Sequence, residues 1–462
     1  MPAMDIADVA YDYFLANGQP ETNINATGGE TVRLRIINGS ATTYFHLEYA
    51  GGPMKIIAAD GLNVQPIAQQ RFLIGVAETY DVLVETPKNG AYELRATAHD
   101  ASGYASVWLG NGQRFPAPDV PQPNLYQSMN NGSRASIWAL TPSDAMGMPD
   151  DEIASGKFDQ PGMMGMMGMS MVQDQEGMGH GSHATPANQN MSAEMDATTK
   201  SHEMMDTAMD KIHEMDGMKK TGHASQDMPR MQLKDRKGKK YATDFRFLAA
   251  DVSSREDLAA DGMDPSRPWA PYSELRALEP TSFETDKPIR EIRLTLDGDM
   301  ERYVWFLNNK ALSESDVIRI RAGEVVRFIM INRTMMHHPM HLHGHFFRVI
   351  NGQGDYAPLK HTVDVAPMST TVIEFAANEI GDWFFHCHLL YHMKSGMARV
   401  IHYNGYQADA DVAAIQSKLF KESWYAWGEA DVLSNMTEGA LTLSDTRNIF
   451  EAQWEVGWQR VD

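Results

Sequence analysis

Two distant stretches of this sequence repeat one pattern without a gap. Residues 29–38 read GETVRLRIIN, and residues 323–332 read GEVVRFIMIN. In both, apolar side chains recur at every second position, which is the period of a half-buried β-strand. The match continues downstream, where residues 90–96 (GAYELRA) stand in the place of residues 381–387 (GDWFFHC). The sequence therefore predicts a β domain that is present in two copies.

The two copies differ at the positions with the strongest chemistry. His46 in the first copy aligns with His341 in the second, but the second copy has more histidines and the only cysteine. The first copy indicates that the fold does not need those side chains for packing, which favours a ligand role for them in the second copy. His46 itself is interpreted as an ordinary core or surface histidine. The replacements are Glu48 for His343, Arg95 for His386 and Ala96 for Cys387.

The middle of the chain has a different composition from its flanks. Residues 146–231 hold 18 of the 32 methionines and almost no aromatic or β-branched residues. Such a segment buries too little apolar surface to offset the entropy lost on ordering, so we expect a disordered, Met/His-rich linker there. The predicted division is 1–145 for the first β domain, 146–240 for the linker, 241–405 for the second β domain and 406–462 for a C-terminal tail without a functional motif.

The chain is strongly acidic, with 61 acidic against 40 basic residues and a formal net charge of -21. This argues against nucleic acid as a partner, because phosphate backbones are bound by a surplus of Lys and Arg, and it favours cations. Cys387 is the only cysteine, which excludes an intrachain disulfide and a cysteine zinc module. No apolar run is long enough for a membrane span, and the first 30 residues contain no export leader.

Eight of the 17 histidines lie in residues 337–345 (HHPMHLHGH) and residues 386–397 (HCHLLYHMKSGM). One His-X-His pair alone would fit a zinc site, a cupin-type iron site or buried histidines of the core. Both runs together are far more specific, because a thiolate, two imidazoles and a weak axial thioether form the ligand set of a blue-copper site. The candidate ligands are Cys387, His338, His392 and Met397.

The spacing inside these runs predicts a second metal site. In a strand, residues i and i+2 face the same side, so His341 lies beside His343, and His386 lies beside His388. Cys387 points to the opposite face. One strand is therefore expected to contact two different metal sites.

These motifs resemble the third and fourth copper signatures of the multicopper oxidases. The methionine-rich insert, residues 44–49 (YFHLEY) and residues 361–367 (HTVDVAP) are similar to the bacterial copper-resistance protein A branch of that family. The resemblance implies an all-β protein with two cupredoxin-like Greek-key β-sandwich domains, of which the first is copper-free. It also implies a periplasmic location.

The resemblance further implies how the second domain works. Electrons would enter at a type 1 copper, pass through the Cys387 backbone to His386 and His388, and reach dioxygen, which is reduced to water. These three residues are the expected catalytic residues. The implied ligands are His338, Cys387, His392 and Met397 for type 1 copper, His341 for type 2 copper, and His343, His386 and His388 for the type 3 pair.

The sequence departs from the family pattern in its first domain. Family members begin with a further cupredoxin domain that supplies two more paired-histidine motifs, whereas the first region here has only His46 and His99 and no His-X-His. We therefore expect a complete type 1 site and half of the type 2/type 3 site. The chain is expected to be the second and third domains of a longer protein, or to need a partner chain that carries the missing domain.

Two functions remain open from the sequence. The first is a copper-dependent oxidase that acts on Cu(I), and on phenols, in copper tolerance, with methionines near the type 1 histidines as a soft docking patch for Cu(I). The second is a copper-binding or storage protein whose type 1 site transfers electrons without turnover. The methionines of the predicted patch are Met335, Met336, Met340 and Met393.

Overall fold

The computed structural model describes residues 8–120, 148, 150–161, 232–234, 240–242, 270–284, 287–299 and 302–458. The chain divides into two compact units. The first unit contains residues 1–170 and 248–462, and the second contains residues 171–247.

The first ordered region is a β-sandwich. Its strands are β1 (Glu21–Ile24), β2 (Thr31–Ile37), β3 (Phe45–Tyr49), β4 (Met54–Ala59), β5 (Leu62–Gln69), β6 (Arg71–Ile74), β7 (Thr79–Glu85), β8 (Gly90–Ala98), β9 (Tyr104–Asn111) and β10 (Arg114–Phe115). One sheet has the order β2-β7-β4-β5, and the other has the order β1-β9-β8-β3-β6 with β10 beside β8. Leu34 and Val82 of the first sheet pack against Phe72 and Leu94 of the second, as strand alternation requires.

The start of the predicted linker has a defined structure. A short helix, α1 (Asp150–Ala154), is followed by turns, and Ile153 and Phe158 are buried against Ile329 and its neighbours in the second sandwich. The prediction of disorder is therefore wrong for residues 150–161, because these apolar side chains bury enough surface to order the segment. In the second unit the described residues form one antiparallel strand pair, β11 (Gln232–Lys234) and β12 (Lys240–Ala242). The rest of the predicted linker lies outside the described residues.

The second ordered region is also a β-sandwich, so the all-β prediction is confirmed. Its elements are β13 (Ile289–Asp299), β14 (Val304–Leu307), β15 (Ile318–Ile320), β16 (Val325–Asn332), β17 (His338–Leu342), β18 (Phe347–Val349), β19 (Leu359–Lys360), β20 (Thr362–Val365), β21 (Thr370–Ala376), β22 (Asp382–Cys387), α2 (Leu390–Lys394) and β23 (Ala398–Tyr403). The sheets have the orders β14-β13-β16-β21-β18-β19 and β15-β23-β22-β17-β20. The core includes Phe328 and Phe375 from one sheet and Phe385 from the other.

Residues 270–284 contact both sandwiches, although the predicted boundary placed them in the second domain. Leu275 is fully buried in the core of the first sandwich. Two residues later, the backbone N–H of Ala277 donates to the carbonyl of Tyr356 in the second sandwich at 2.9 Å. This segment therefore contacts both sandwiches.

The C-terminal tail contains a helix, α3 (Ala410–Leu419), and an antiparallel sheet of β24 (Tyr425–Val432), β25 (Met436–Ser444) and β26 (Ile449–Gly457). One face of this sheet carries Leu441, Phe450 and Trp454 and has no charged residue, yet these side chains are exposed. Among the described helices, none is long and apolar enough to cross a membrane.

The duplication predicted from the sequence is present at atomic detail. At the end of β2, the Asn38 side-chain amide donates to the carbonyl of Thr43 at 2.8 Å and to a carbonyl at the end of β6. At the end of β16, the Asn332 amide donates to the carbonyl of Met336 at 2.7 Å and to a carbonyl at the end of β20. Both asparagines thus fix the loop that leads into the next strand of the opposite sheet.

The residue-by-residue match between the copies is wrong at one strand. Glu48 lies directly opposite Arg95, as His341 lies opposite His386. Glu48 therefore corresponds to His341 and not to His343. Glu48 stands ten residues after Asn38, whereas His341 stands nine residues after Asn332, so the connection in the first copy is one residue longer and the sequence match is displaced by two residues. A displacement of two residues leaves each side chain on the same face of the sheet.

We expect Asn38→Ala and Asn332→Ala each to lower the free energy of unfolding by about 2 to 3 kcal/mol, because each leaves buried carbonyl groups without a donor. Asn111→Ala, at the exposed end of β9, is the matched control and should change it by less than about 0.5 kcal/mol. Urea denaturation measures all three. Equal, small effects for the three variants would contradict this account of the loops.

Candidate metal centre

Two paired strands place the candidate ligands. In the antiparallel pair β17–β22, Met340 lies opposite Cys387 and His341 lies opposite His386. Because successive side chains alternate between faces, Cys387 faces the interior while His386 faces the other side of the sheet. β22 therefore presents Cys387 to one side of its sheet and His386 to the other, which is where the sequence placed them.

The first site is a triangle of three ligand atoms. Cys387 Sγ lies 3.7 Å from His338 Nδ1 and 3.7 Å from His392 Nδ1, and the two nitrogens are 3.1 Å apart. All three side chains are completely buried. A point equidistant from the three atoms lies about 2 Å from each, close to the bond lengths that first-row metals make to imidazole nitrogen and thiolate sulfur. The triangle therefore fits one metal ion.

The hydrogen bonds around His338 fix its tautomer. The Thr334 hydroxyl donates its proton to Asn332 Oδ1 at 2.8 Å, so its oxygen is an acceptor for its other partners. These are the N–H of Met336 at 3.2 Å and His338 Nε2 at 2.8 Å. His338 therefore carries its proton on Nε2 and presents the Nδ1 lone pair to the centre of the triangle. Such outer contacts orient metal ligands before the metal arrives.

His392 is held by stacking and by its place on α2. Its ring stacks on the buried indole of Trp305 with 3.7 Å between ring centroids. On the far side, Nε2 faces a carboxylate oxygen of Asp8 at 3.5 Å, and that oxygen accepts a hydrogen bond from the Tyr303 hydroxyl. His392 is thus covered on its outer edge by two polar side chains.

Met397 is fully buried next to these residues in the backbone network. Its N–H donates to the carbonyl of His392 at 2.9 Å, and its carbonyl accepts from the N–H of Cys387 at 3.1 Å. These two bonds connect the sequence-predicted fourth ligand to two of the other three.

The second cluster contains the four remaining predicted ligands. His343 Nε2 and His386 Nε2 face each other at 3.2 Å. The ring centroid of His341 lies 4.8 Å from that of His343 and 5.6 Å from that of His388. The structure therefore brings together His341, His343, His386 and His388.

Backbone carbonyls fix the tautomers in this cluster. His341 Nδ1 lies 2.8 Å from the carbonyl of His361, and His386 Nδ1 lies 2.8 Å from the carbonyl of Cys387. A carbonyl only accepts, so both rings carry their proton on Nδ1 and leave Nε2 as a lone pair. Imidazoles in this state are ready to bind a metal.

Burial sets the protonation of both sites. It lowers the pKa of His341 to about 3 and that of His386 to about 4, so both are neutral at pH 7. Burial likewise lowers the pKa of His338 and His392 and raises that of the Cys387 thiol. Without metal, the first site therefore holds two neutral imidazoles and a protonated thiol.

Comparison with known proteins identifies the family of both sandwiches. Two family models, both described as multicopper oxidase, match residues 7–113 and 286–405. The chain carries two multicopper oxidase domains. A copper resistance protein A homolog from Pseudomonas syringae pv. tomato is 33% identical over 412 residues, covering 87% of this chain and 60% of that protein. Copper resistance protein A from Escherichia coli is 32% identical over 421 residues, covering 87% of this chain and 61% of that protein.

The chain spans about 60% of the length of these curated relatives. The two matched regions correspond to the two sandwiches, and both candidate metal sites lie in the second multicopper oxidase domain. The tail after residue 405 lies outside both matched regions.

Other histidines of the two multicopper oxidase domains lie outside both candidate sites and are held by neighbouring residues. His337 Nδ1 lies 2.6 Å from Asp364, which also accepts from the hydroxyl of Tyr44 in the first domain at 2.8 Å. His345 accepts from the Tyr403 hydroxyl at 2.6 Å. His46 is buried, in line with its interpretation as a core histidine.

The docking patch predicted from methionines is wrong in part. Met336 and Met340 are buried in the core of the second multicopper oxidase domain and offer no thioether to solvent. Met335 and Met393 are partly buried. Sequence reasoning also missed Thr334, which lies four residues before His338 in the motif region, and Trp305, which no local pattern marks.

The shifted histidine pKa values predict how stability depends on pH. The unfolded chain protonates its histidines near pH 6.5, whereas folded His341 and His386 resist protonation to about pH 3 and 4. Below pH 6.5 the unfolded state therefore binds more protons, and the stability of the copper-free protein should fall between pH 6.5 and 4. Thermal melts across this range measure the slope. His341→Asn/His386→Asn should show a shallower slope, and an unchanged slope would contradict the assignment.

Proposed function

We propose that this chain binds copper at both sites and takes part in the oxidation of Cu(I), and of phenols, with dioxygen reduced to water. The observation that supports this most strongly is the buried triangle of Cys387 Sγ and the Nδ1 atoms of His338 and His392. One thiolate, two imidazoles and a thioether are the donors of a blue-copper site, and Met397 provides the thioether. In this proposal the four residues hold type 1 copper.

Bound copper would supply a one-electron redox couple to the site. The chain's own residues exclude water from the triangle and hold the Nδ1 lone pair of His338 toward its centre before the metal arrives. Cys387 must lose its proton on binding, because burial keeps the thiol protonated in the copper-free protein.

The four-histidine cluster is proposed as the protein's share of an oxygen-reducing site, with His341 for type 2 copper and His343, His386 and His388 for the type 3 pair. His386 and His388 flank Cys387 in the chain, so the backbone provides a short covalent path between the two sites. By the family resemblance, further histidines from another cupredoxin domain complete this cluster, either in a longer form of the protein or in a partner chain.

The choice of Cu(I) as substrate rests on chemistry and on the relatives. Thioethers are soft ligands for Cu(I), and the net charge of -21 attracts cations. Two relatives are named copper resistance protein A. We therefore propose a role in copper tolerance, in the periplasm.

Copper binding without turnover is the second candidate. It is favoured by the presence of one complete site beside a cluster with four histidines, since a metal site needs its full ligand count in geometry. In that case the chain would store copper and exchange electrons at the type 1 site.

We expect the copper-loaded chain to show the intense visible absorption band of a thiolate–copper site. Cys387→Ser should abolish this band, because no other thiolate is available. His345→Gln, which changes a histidine of the same motif outside both sites, is the control and should keep the band. Visible spectra during copper titration measure both, and a Cys387→Ser variant that remained blue would disprove the assignment.

We expect the chain alone to reduce dioxygen weakly or not at all. Addition of a separately produced first cupredoxin domain from a relative should restore uptake, because it supplies the remaining imidazoles. An oxygen electrode with Cu(I) as reductant measures this. Four-electron oxygen uptake by the chain alone would contradict the half-site proposal.

A further inference from the structure

Three ionisable side chains are completely buried where the two sandwiches meet. Lys360 on β19 belongs to the second sandwich, whereas Asp60, after β4, and Glu78, before β7, belong to the first. Lys360 Nζ lies 3.1 Å from Asp60 Oδ2 and 3.1 Å from Glu78 Oε1. Moving ions out of water costs several kcal/mol each, and apolar replacements are often as stable. Stability alone is therefore a weak reason for this arrangement.

Lys360 and Asp60 remain charged despite their burial. Burial opposes ionisation of Lys360 and Asp60, but the attraction between them outweighs it, so the pKa of Lys360 is raised and that of Asp60 is lowered. Asp60 is consequently a carboxylate at neutral pH and acts only as a hydrogen-bond acceptor.

The Asp60 carboxylate holds the backbone of the opposite sandwich. Its Oδ2 accepts from the N–H of His361 at 3.0 Å and from the N–H of Thr362 at 3.1 Å, while Oδ1 accepts from the N–H of Thr79 in its own sandwich. Charge-assisted bonds of this kind are roughly twice as strong as neutral ones. The position of residues 361 and 362 is therefore fixed by a residue of the first sandwich.

The same two residues hold the His341 imidazole. His341 Nδ1 donates to the carbonyl of His361 at 2.8 Å and lies 3.0 Å from the Thr362 hydroxyl. Glu78 makes no direct bond to these two residues: its carboxylate accepts from the N–H of Gly75 at 2.7 Å and from the Tyr272 hydroxyl at 2.5 Å. It reaches the same strand only indirectly, because the Tyr272 oxygen accepts from the N–H of Asp364 at 3.0 Å. The two buried carboxylates thus share Lys360 but differ in what else they hold.

We propose that Asp60 is a positioning residue for His341. Through the backbone of residues 361 and 362, the first sandwich fixes the tautomer and the direction of this imidazole of the four-histidine cluster. The consequence for metal binding rests on the proposed function of His341 as a copper ligand. The positioning itself is a property of the copper-free chain.

The test compares Asp60→Asn with Glu78→Gln in the full chain. Each variant removes one carboxylate from Lys360, but only Asp60→Asn replaces an acceptor of the two backbone N–H groups by an amide that donates on one side. Nitrogen NMR of labelled histidines in the copper-free protein reads the His341 tautomer. We expect a proton on Nδ1 in the wild type and in Glu78→Gln, and a mixture of tautomers in Asp60→Asn.

Titration with Cu(II) gives the second readout. We expect the affinity of the non-blue copper site to fall by about tenfold in Asp60→Asn and to stay unchanged in Glu78→Gln, as for other residues that orient metal ligands. The blue band should survive in both variants and reports that the second sandwich is folded. If Asp60→Asn fails to fold because Lys360 lacks its partner, Asp60→Asn/Lys360→Met removes the unpaired charge and should show the same tautomer change.

Two results would overturn the proposal. One is a wild-type His341 tautomer in Asp60→Asn, and the other is an equal change in Glu78→Gln. A changed tautomer with unchanged Cu(II) affinity would support positioning by Asp60 and would instead refute the role of His341 as a copper ligand.

Discussion

The alternation of side chains along β22 is the constraint on which the rest of the site depends. Cys387 faces the buried triangle with His338 and His392, and its neighbour His386 faces the four-histidine cluster on the other side of the sheet. Two sites are therefore joined by a single peptide unit. The carbonyl of Cys387 even holds the Nδ1 proton of His386, so the residue of one site orients a residue of the other. A shift of one residue in this strand would exchange the faces and abolish both sites.

A comparison of the two sandwiches distinguishes the residues that the fold requires from those that only the candidate metal site requires. Asn38 with Ser40, and Asn332 with Thr334, form the same hydrogen-bonded loop in the two sandwiches. In the second copy only, the Thr334 hydroxyl also contacts an imidazole, that of His338. A loop that already stabilises the sandwich thus orients a ligand without further ordering of the backbone. This explains how one copy holds a buried triangle of candidate metal ligands while the other has an ordinary core.

The sequence predicted the parts of the site that follow from periodicity and motif. The two-residue period placed His341, His386 and Cys387 on their correct faces, and the repeat predicted two β domains. Sequence reasoning failed where contacts between distant residues determine the structure. The register of Glu48 depends on loop length, the burial of Met336 depends on the opposite sheet, and the order of residues 150–161 depends on packing against Ile329. The contact between Asp60 and residues 361–362 joins positions 301 and 302 residues apart, which no local pattern reveals.

Protonation explains how two imidazoles and a thiol can be buried together without a net charge. His338 and His392 are neutral because their pKa values are lowered by burial, so neither must lose a proton when a cation arrives. The neutral imidazoles also avoid placing two positive charges 3.1 Å apart in a dry interior. In the proposed function only the Cys387 thiol, whose pKa is raised by burial, would exchange its proton for the metal. The site therefore holds no net charge before binding, and the thiolate appears only together with the cation that balances it.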